Sequence, residues 1–408
     1  MQTVFAGKKI IIGVTGSIAA FKVAGWVSDL AKDEALVSVV MTPSATQFIT
    51  PLTFAALSGN DVFTEMFSAA KEDTMAHINL GRDADVVLIA PATANTIAKL
   101  ANGFADDLLT TTVLATRAKV IVCPAMNSRM YSHPSTKSNI IKLKEIGYTI
   151  IDPGCGMMAC KEEGDGRLPE WDEVKEYLAQ SLTPLSLHGQ RILVTAGPTR
   201  EPLDPARFLS NRSSGKMGYA LARTAFRRGG EVTLISGPSL LSCPTGVNLV
   251  KVQTARQMYD AVLDHAKNCS VVIKAAAVAD YRPEKTFQHK VKKEQINTQL
   301  ILERNPDILL ELGKRKQKGQ LLIGFAAESQ NLQQEGLKKL QNKNLDLIAV
   351  NNISSADTGF EVENNQILLI SASGAESLPY TSKMHSADLI WERVVSLLHE
   401  KKGGVDLN

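Results

Sequence analysis

Several short segments place glycine, small polar residues and single titratable groups where chemistry could be done. Residues 13–22 read GVTGSIAAFK. Gly16 and Ser17 there let backbone N–H groups approach an anion, and the helix that would begin beside Lys22 adds positive potential at its N-terminus. A phosphate monoester would suit such a turn, and so would plain strand-to-helix packing; the spacing is not GxGxxG. Residues 90–95 (APATAN) and 124–131 (PAMNSRMY) each follow an apolar run. The Asn127 amide can donate and accept, which suits orienting a carboxylate, although a proline turn with a polar cap needs the same residues. Residues 154–168 are rich in glycine and charge and read as a mobile loop. They carry Cys160 beside Lys161, where a thiol could give up a proton, and Cys155 as its rival. His77 stands alone in MAHIN (75–79), where a structural role is the plainer reading.

The second half has no GxxxxGK[ST] loop, so nucleotide chemistry must rest on other groups. Residues 211–218 (NRSSGKMG) precede a helical stretch at 219–228. That is a helix-start anion site with Asn211 free for a ligand, or an ordinary serine cap. Asp280 ends the apolar run KAAAVAD (274–280), placed to meet a base or a metal ion. Lys290 lies in HKVKK (289–293), and Lys339 and Lys343 stand four apart. A helix would put both on one face, and point cations suit phosphate oxygens; a solvated surface is the bland explanation.

Something must hold these groups in place. Continuous apolar runs at 10–14, 37–41, 86–89 and 120–123 alternate with helical patterns at 18–30 and 136–146. Such runs suit strands buried on both faces of a parallel sheet. After a linker-like stretch at 182–190, a strand-to-glycine opening recurs at 191–197, and further strands are expected at 232–235, 271–275, 321–325 and 345–350. The expectation is therefore α/β: two Rossmann-like domains with mostly parallel sheets, at 1–181 and 191–408. A formal net charge of +3 on 408 residues argues against nucleic acid or membrane as partner. Five irregularly spaced cysteines without a CxxC pair do not read as a disulfide framework or a zinc site, and a cytoplasmic location is expected.

Taken together, residues 16–22, His77, 90–95, 124–127, 159–160 and 164–167 resemble the flavin-containing cysteine decarboxylases, most nearly the phosphopantothenoylcysteine decarboxylases. That resemblance implies FMN, with Gly16, Ser17 and Lys22 in its phosphate turn and Pro91, Thr93 and Asn95 also contacting it. It further implies oxidation of the substrate thiol to a thioaldehyde, loss of CO₂ as an ene-thiolate, and return of the electrons. His77 would be the base, Asn127 would hold the carboxylate and Cys160 would supply a proton. Phe21 stands where family members often carry tyrosine. Residues 197–204, 210–218, 275–283, 290–293 and 324–328 resemble phosphopantothenate–cysteine ligase. The implied reaction activates 4′-phosphopantothenate with CTP and Mg²⁺ as an acyl-cytidylate, which L-cysteine then attacks. Asn211 would hold the acyl-cytidylate. Asp280 would meet the cytosine or the metal, and Phe325, Lys290, Lys339 and Lys343 would line the CTP site. The order of the two halves is that of the bifunctional coenzyme A family. The decarboxylase relatives imply a homo-oligomer with FMN sites between subunits. An NAD(P) oxidoreductase would instead require a GxGxxG fingerprint that is missing here.

Overall fold

The computed structural model divides into two compact units, Met1–Pro184 and Leu185–Asn408. It describes residues 3–67, 75–157, 161–292, 299–328, 330–352, 362 and 364–403, without the side chains of 402 and 403.

The first unit is built on strands β1 (Lys9–Val14), β2 (Leu36–Met41), β3 (Val62–Phe63), β4 (Val86–Ala92), β5 (Lys119–Pro124) and β6 (Thr149–Ile150). They form one parallel sheet in the order β3-β2-β1-β4-β5-β6. Successive side chains on a strand point to opposite faces. Ile10, Ile12, Val37, Val39 and Leu88 therefore enter one core with Trp26, Val27 and Leu30 of the helix Ala20–Lys32. Ile11, Val40, Val87 and Ile89 enter the other with Ile97 and Leu109. Burial on both sides explains the unbroken apolar runs, and each such side chain contributes about 1.5–3 kcal/mol when fully buried. Trp171 of the helix Trp171–Leu182 stacks on Trp26 at 5.2 Å between ring centroids.

The glycine-rich stretch expected as a mobile loop is different. Its described parts pair as an antiparallel ribbon, β7 (Gly154–Met157) with β8 (Glu163–Arg167). Gly156 at φ 146° and Gly166 at φ 142° occupy backbone conformations that favour glycine, so glycine serves the ribbon rather than loosening it.

The second unit has β9 (Arg191–Ala196), β10 (Arg200–Pro202), β11 (Phe208–Ser210), β12 (Glu231–Ser236), β13 (Asn248–Lys251), β14 (Val271–Lys274), β15 (Tyr281–Pro283), β16 (Leu302–Arg304), β17 (Leu321–Glu328), β18 (Leu347–Asn352), β19 (Asn364–Asn365), β20 (Ile367–Ser371), β21 (Gly374–Ser377) and β22 (Thr381–Ser382). The main sheet runs β13-β12-β9-β14-β17-β18-β20-β21; it is parallel as far as β18 and antiparallel beyond. Short antiparallel pairs, β10–β11 and β15–β16, stand outside it. The expected helix at 219–228 begins earlier, at Lys216, because Gly215 caps it at φ 82°. The expected strand at 345–350 begins later, at Leu347, because the Leu345 N–H still closes the preceding helix on Leu340 O at 2.9 Å. Leu187, within the stretch read as a linker, is fully buried and its N–H donates to Arg228 O at 2.9 Å.

Candidate active sites

In each main sheet the strand order reverses once, between β1 and β4 in the first and between β9 and β14 in the second. A crevice opens beyond the C-terminal strand ends at such a reversal, and ligands of open α/β sheets bind there.

In the first unit the crevice holds a cavity of about 390 Å³ lined by Ser17, Ile18, Phe21, Lys22, Met126, Asn127, Met157 and Arg167, among others. Gly16 opens the turn because a Cβ there would lie 2.5 Å from the Ser44 Cβ. Thr15 ties this turn to the one after β4: its hydroxyl donates to Pro91 O at 2.6 Å and accepts from the Thr93 N–H at 3.1 Å. Thr93 in turn caps the helix Ala94–Asn102, accepting from the Thr96 N–H. Asn127 caps the helix Ser128–Ser132: its Oδ1 accepts from the Arg129 N–H at 2.9 Å, while its Nδ2 donates to Glu162 at 2.9 Å. Apolar walls with a few polar side chains and one lysine fit a flat aromatic ring with an anionic tail.

The structure therefore brings Ser17, Lys22 and Asn127 to one cavity, with Gly16 as its hinge and Pro91 and Thr93 bonded behind it through Thr15. Asn95 is exposed and His77 does not line the cavity. His77 lies on the helix Ala76–Asp83, and its buried Nδ1 has no hydrogen-bond partner among the described residues. A buried polar atom left unpaired costs about 1–3 kcal/mol, which a bound group would relieve. Cys160 lies outside the described residues; Cys155 is an exposed free thiol on β7.

In the second unit two adjoining cavities share Lys274, Val278 and Asp280. One, of about 310 Å³, also meets Asn211, Lys216, Phe325, Lys339 and Lys383. The other, of about 350 Å³, also meets Arg304, Asn305, Asp307 and Lys343. Backbone approach again decides the local form. Gly197 at φ 73° passes 3.1 Å, measured from an added Cβ, from Gly237 O, and a Cβ on Gly218 would lie 2.5 Å from that of Ala196. Thr195 accepts from the Ala276 N–H at 3.1 Å and Thr199 from the Ala279 N–H at 3.0 Å, so the loop after β14 is fixed to the β9 turn. Asn211 donates to Val278 O at 2.9 Å, which points its amide into the same loop.

Asn211, Asp280, Phe325 and Lys339 thus meet in one cavity, and Asp280 and Lys343 in the next. The expectation that Lys339 and Lys343 share a helix face needs correction. The helix Leu332–Asn342 ends before Lys343: Lys339, paired with Glu328, lines one cavity, while Lys343, paired with Asp307 at 2.8 Å, lines the other. Lys290 lines neither cavity and is exposed. Sequence reasoning missed Lys274, at the end of β14. Burial, with the Lys343 ammonium next, pushes its amine down to about 8, against the pull of Asp307 and Asp280. A lysine closing a buried apolar run was the available signal, because a cation taken from water needs a reason. Among the described residues no group of three or more His, Cys, Asp or Glu side chains could hold a metal ion, and no helix is long and apolar enough to cross a membrane.

Comparison with known proteins agrees with this division. The family described as Flavoprotein matches residues 2–183, and the DNA/pantothenate metabolism flavoprotein C-terminal domain matches 187–398. These matches define a flavoprotein domain followed by a pantothenate-metabolism domain. The Coenzyme A biosynthesis bifunctional protein CoaBC of Vibrio cholerae is 44% identical over 398 residues, 97% of this chain and 99% of that protein. Its Bacillus subtilis counterpart is 43% identical over 397 residues, 96% and 97% of the two chains. A solved C-terminal domain of a CoaBC protein is 42% identical and covers 53% of this chain and 98% of its own, with a TM-score of 0.45. The chain belongs to the coenzyme A biosynthesis bifunctional protein family. It is a bifunctional enzyme of that pathway, with phosphopantothenoylcysteine decarboxylase and phosphopantothenate–cysteine ligase activities.

Proposed function

We propose that the second unit joins 4′-phosphopantothenate to L-cysteine at the expense of CTP, and that the first unit decarboxylates the product to 4′-phosphopantetheine with FMN. The observation that carries this reading is a cavity beyond the C-terminal strand ends of each main sheet, walled by an asparagine amide with Lys22 in the first and with several lysines in the second.

In the ligase half the substrate carboxylate attacks the α-phosphorus of CTP and pyrophosphate leaves. The cysteine amine then attacks the acyl carbon of the acyl-cytidylate and CMP leaves. Asn211 holds the acyl-cytidylate through its amide. Lys274, Lys339, Lys343 and Lys290 neutralise phosphate charge; catalysis is positioning and electrostatics, without an enzyme nucleophile. Phe325 walls the nucleotide, and Asp280 meets the cytosine or a Mg²⁺ ion. Because no carboxylate cluster is present among the described residues, such an ion would be held mainly by the phosphates.

In the decarboxylase half Gly16, Ser17 and Lys22 receive the FMN phosphate, and Pro91, Thr93 and Asn95 border the site. FMN, when bound, supplies the oxidation of the substrate thiol and the later return of its electrons. Asn127 orients the carboxylate that leaves as CO₂, His77 takes a proton from substrate and Cys160 gives one to the product. His77 stands away from its own chain's cavity, with Met75 and Ile78 exposed beside it. This supports a homo-oligomer in which His77 serves a flavin held partly by a neighbour. We place the enzyme in the cytoplasm.

Two substitutions separate the halves. Asn211→Ala should abolish amide formation yet leave decarboxylation of supplied 4′-phosphopantothenoylcysteine within about twofold, and Asn127→Ala should do the reverse. Loss of both activities from either change would contradict the assignment. Equal ligation rates with ATP and CTP would overturn the choice of nucleotide.

A further inference from the structure

The arm that carries Lys290 is stitched to the hairpin β10–β11 and the turn within it. The Thr286 hydroxyl donates to Pro202 O at 3.1 Å, and the Phe287 N–H donates to Leu203 O at 2.9 Å. Next comes a polar clamp centred on Asp204, a residue only 4% exposed and with a fully buried side chain. Its Oδ1 accepts from the N–H groups of Ala206 at 2.8 Å and Arg207 at 2.9 Å. Its Oδ2 accepts from Arg207 Nε at 3.0 Å and from Arg207 Nη2, and also from the Val291 N–H at 3.3 Å. Arg207 Nη2 closes the ring by donating to Val291 O at 3.0 Å. Both backbone groups of Val291 are thus gripped by one ion pair from 84 to 87 residues earlier in the chain.

A buried carboxylate with this many donors is not there to bind solvent. The Arg207 guanidinium beside it holds the Asp204 carboxyl well below the usual carboxylate range, so it stays charged at any working pH. Charge-assisted, forked pairs fix geometry more firmly than neutral hydrogen bonds do. What they fix here is the residue next to Lys290, an exposed cation that lines neither cavity by itself. We propose that Asp204, acting with Arg207, is a positioning residue of the ligase reaction: by holding Val291 at both its N–H and its C=O it sets where the Lys290 ammonium stands. This rests on the reading of Lys290 as a cation for the nucleotide phosphates.

The test is a double-mutant cycle in the full chain, with kcat and the CTP KM of amide formation measured for Asp204→Asn, Lys290→Met and both together. Asp204→Asn should lower kcat/KM for CTP about tenfold or more when Lys290 is present, and less than about twofold when Lys290→Met has already removed the ammonium. Equal losses in the two backgrounds would mean that Asp204 only supports the fold, and would overturn the proposal; so would an unchanged Asp204→Asn enzyme. If Lys290→Met alone leaves ligation unchanged, the reading of Lys290 falls, and this inference with it. Should Asp204→Asn not fold, Arg207→Lys keeps the charge but loses the fork. It should show the same dependence on Lys290, and its absence would count equally against the clamp.

Discussion

Lys274 illustrates how a single residue acquires a property from its surroundings. Burial and the Lys343 ammonium bring its amine to about 8, so the positive charge is present below that pH and lost above it. A phosphate chain bound at the junction of the two cavities would feel that loss. The CTP KM for ligation should therefore rise as pH goes from about 7 to about 9, and Lys274→Met should raise it several-fold at neutral pH and flatten the alkaline rise. A KM indifferent to both changes would remove Lys274 from the nucleotide site. Cys160→Ser should leave flavin bound and CO₂ released but yield no normal 4′-phosphopantetheine; a full yield would move the proton donor to Cys155 or elsewhere. At this scale the sequence pointed to Asn127 and Asp280, which follow legible apolar runs, and to Asn211, which heads a legible helix start. Lys274 showed only as a lysine closing an apolar run, and Asp204 was not legible as a site residue. Their meaning depends on Lys343 and Val291, which lie far along the chain and meet them only in the fold.

At the scale of elements, the sites are made by turns held against one another. Thr15 joins the turns after β1 and β4 through two hydrogen bonds, and Gly16 lets the first of them pass Ser44. Thr15→Val leaves the Thr93 N–H without its acceptor, at about 1–3 kcal/mol. Gly16→Ala forces a methyl group to within 2.5 Å of the Ser44 Cβ. Both variants should retain less flavin after purification than the parent chain, read from visible absorbance, while ligation continues; undiminished flavin in both would separate this turn from the cofactor. The strands were legible because sheets covered on both faces demand unbroken apolar runs. The ribbon β7–β8 was not, because glycine and charge alternate there without an apolar face to mark a strand. Helix and strand ends shifted by a few residues where a backbone cap, such as Gly215, outweighed side-chain periodicity.

At the scale of the molecule, two units each own a core, a sheet and a switch-point crevice. Two such units should unfold as separate calorimetric transitions. A ligand at about a hundred times its Kd adds about 2.7 kcal/mol to the unit that binds it. FMN should therefore raise one transition and CTP the other, and a single transition raised by both would contradict two independent binding units. The most direct test of the bifunctional reading uses the purified full chain. Its visible spectrum is recorded, and it is then incubated with 4′-phosphopantothenate, L-cysteine, CTP and Mg²⁺ while products are followed by mass. The expected result is flavin absorbance together with pyrophosphate, CMP, CO₂ and 4′-phosphopantetheine. A colourless protein that stops at 4′-phosphopantothenoylcysteine would contradict the flavin half, and a yellow protein that forms no amide would contradict the ligase half.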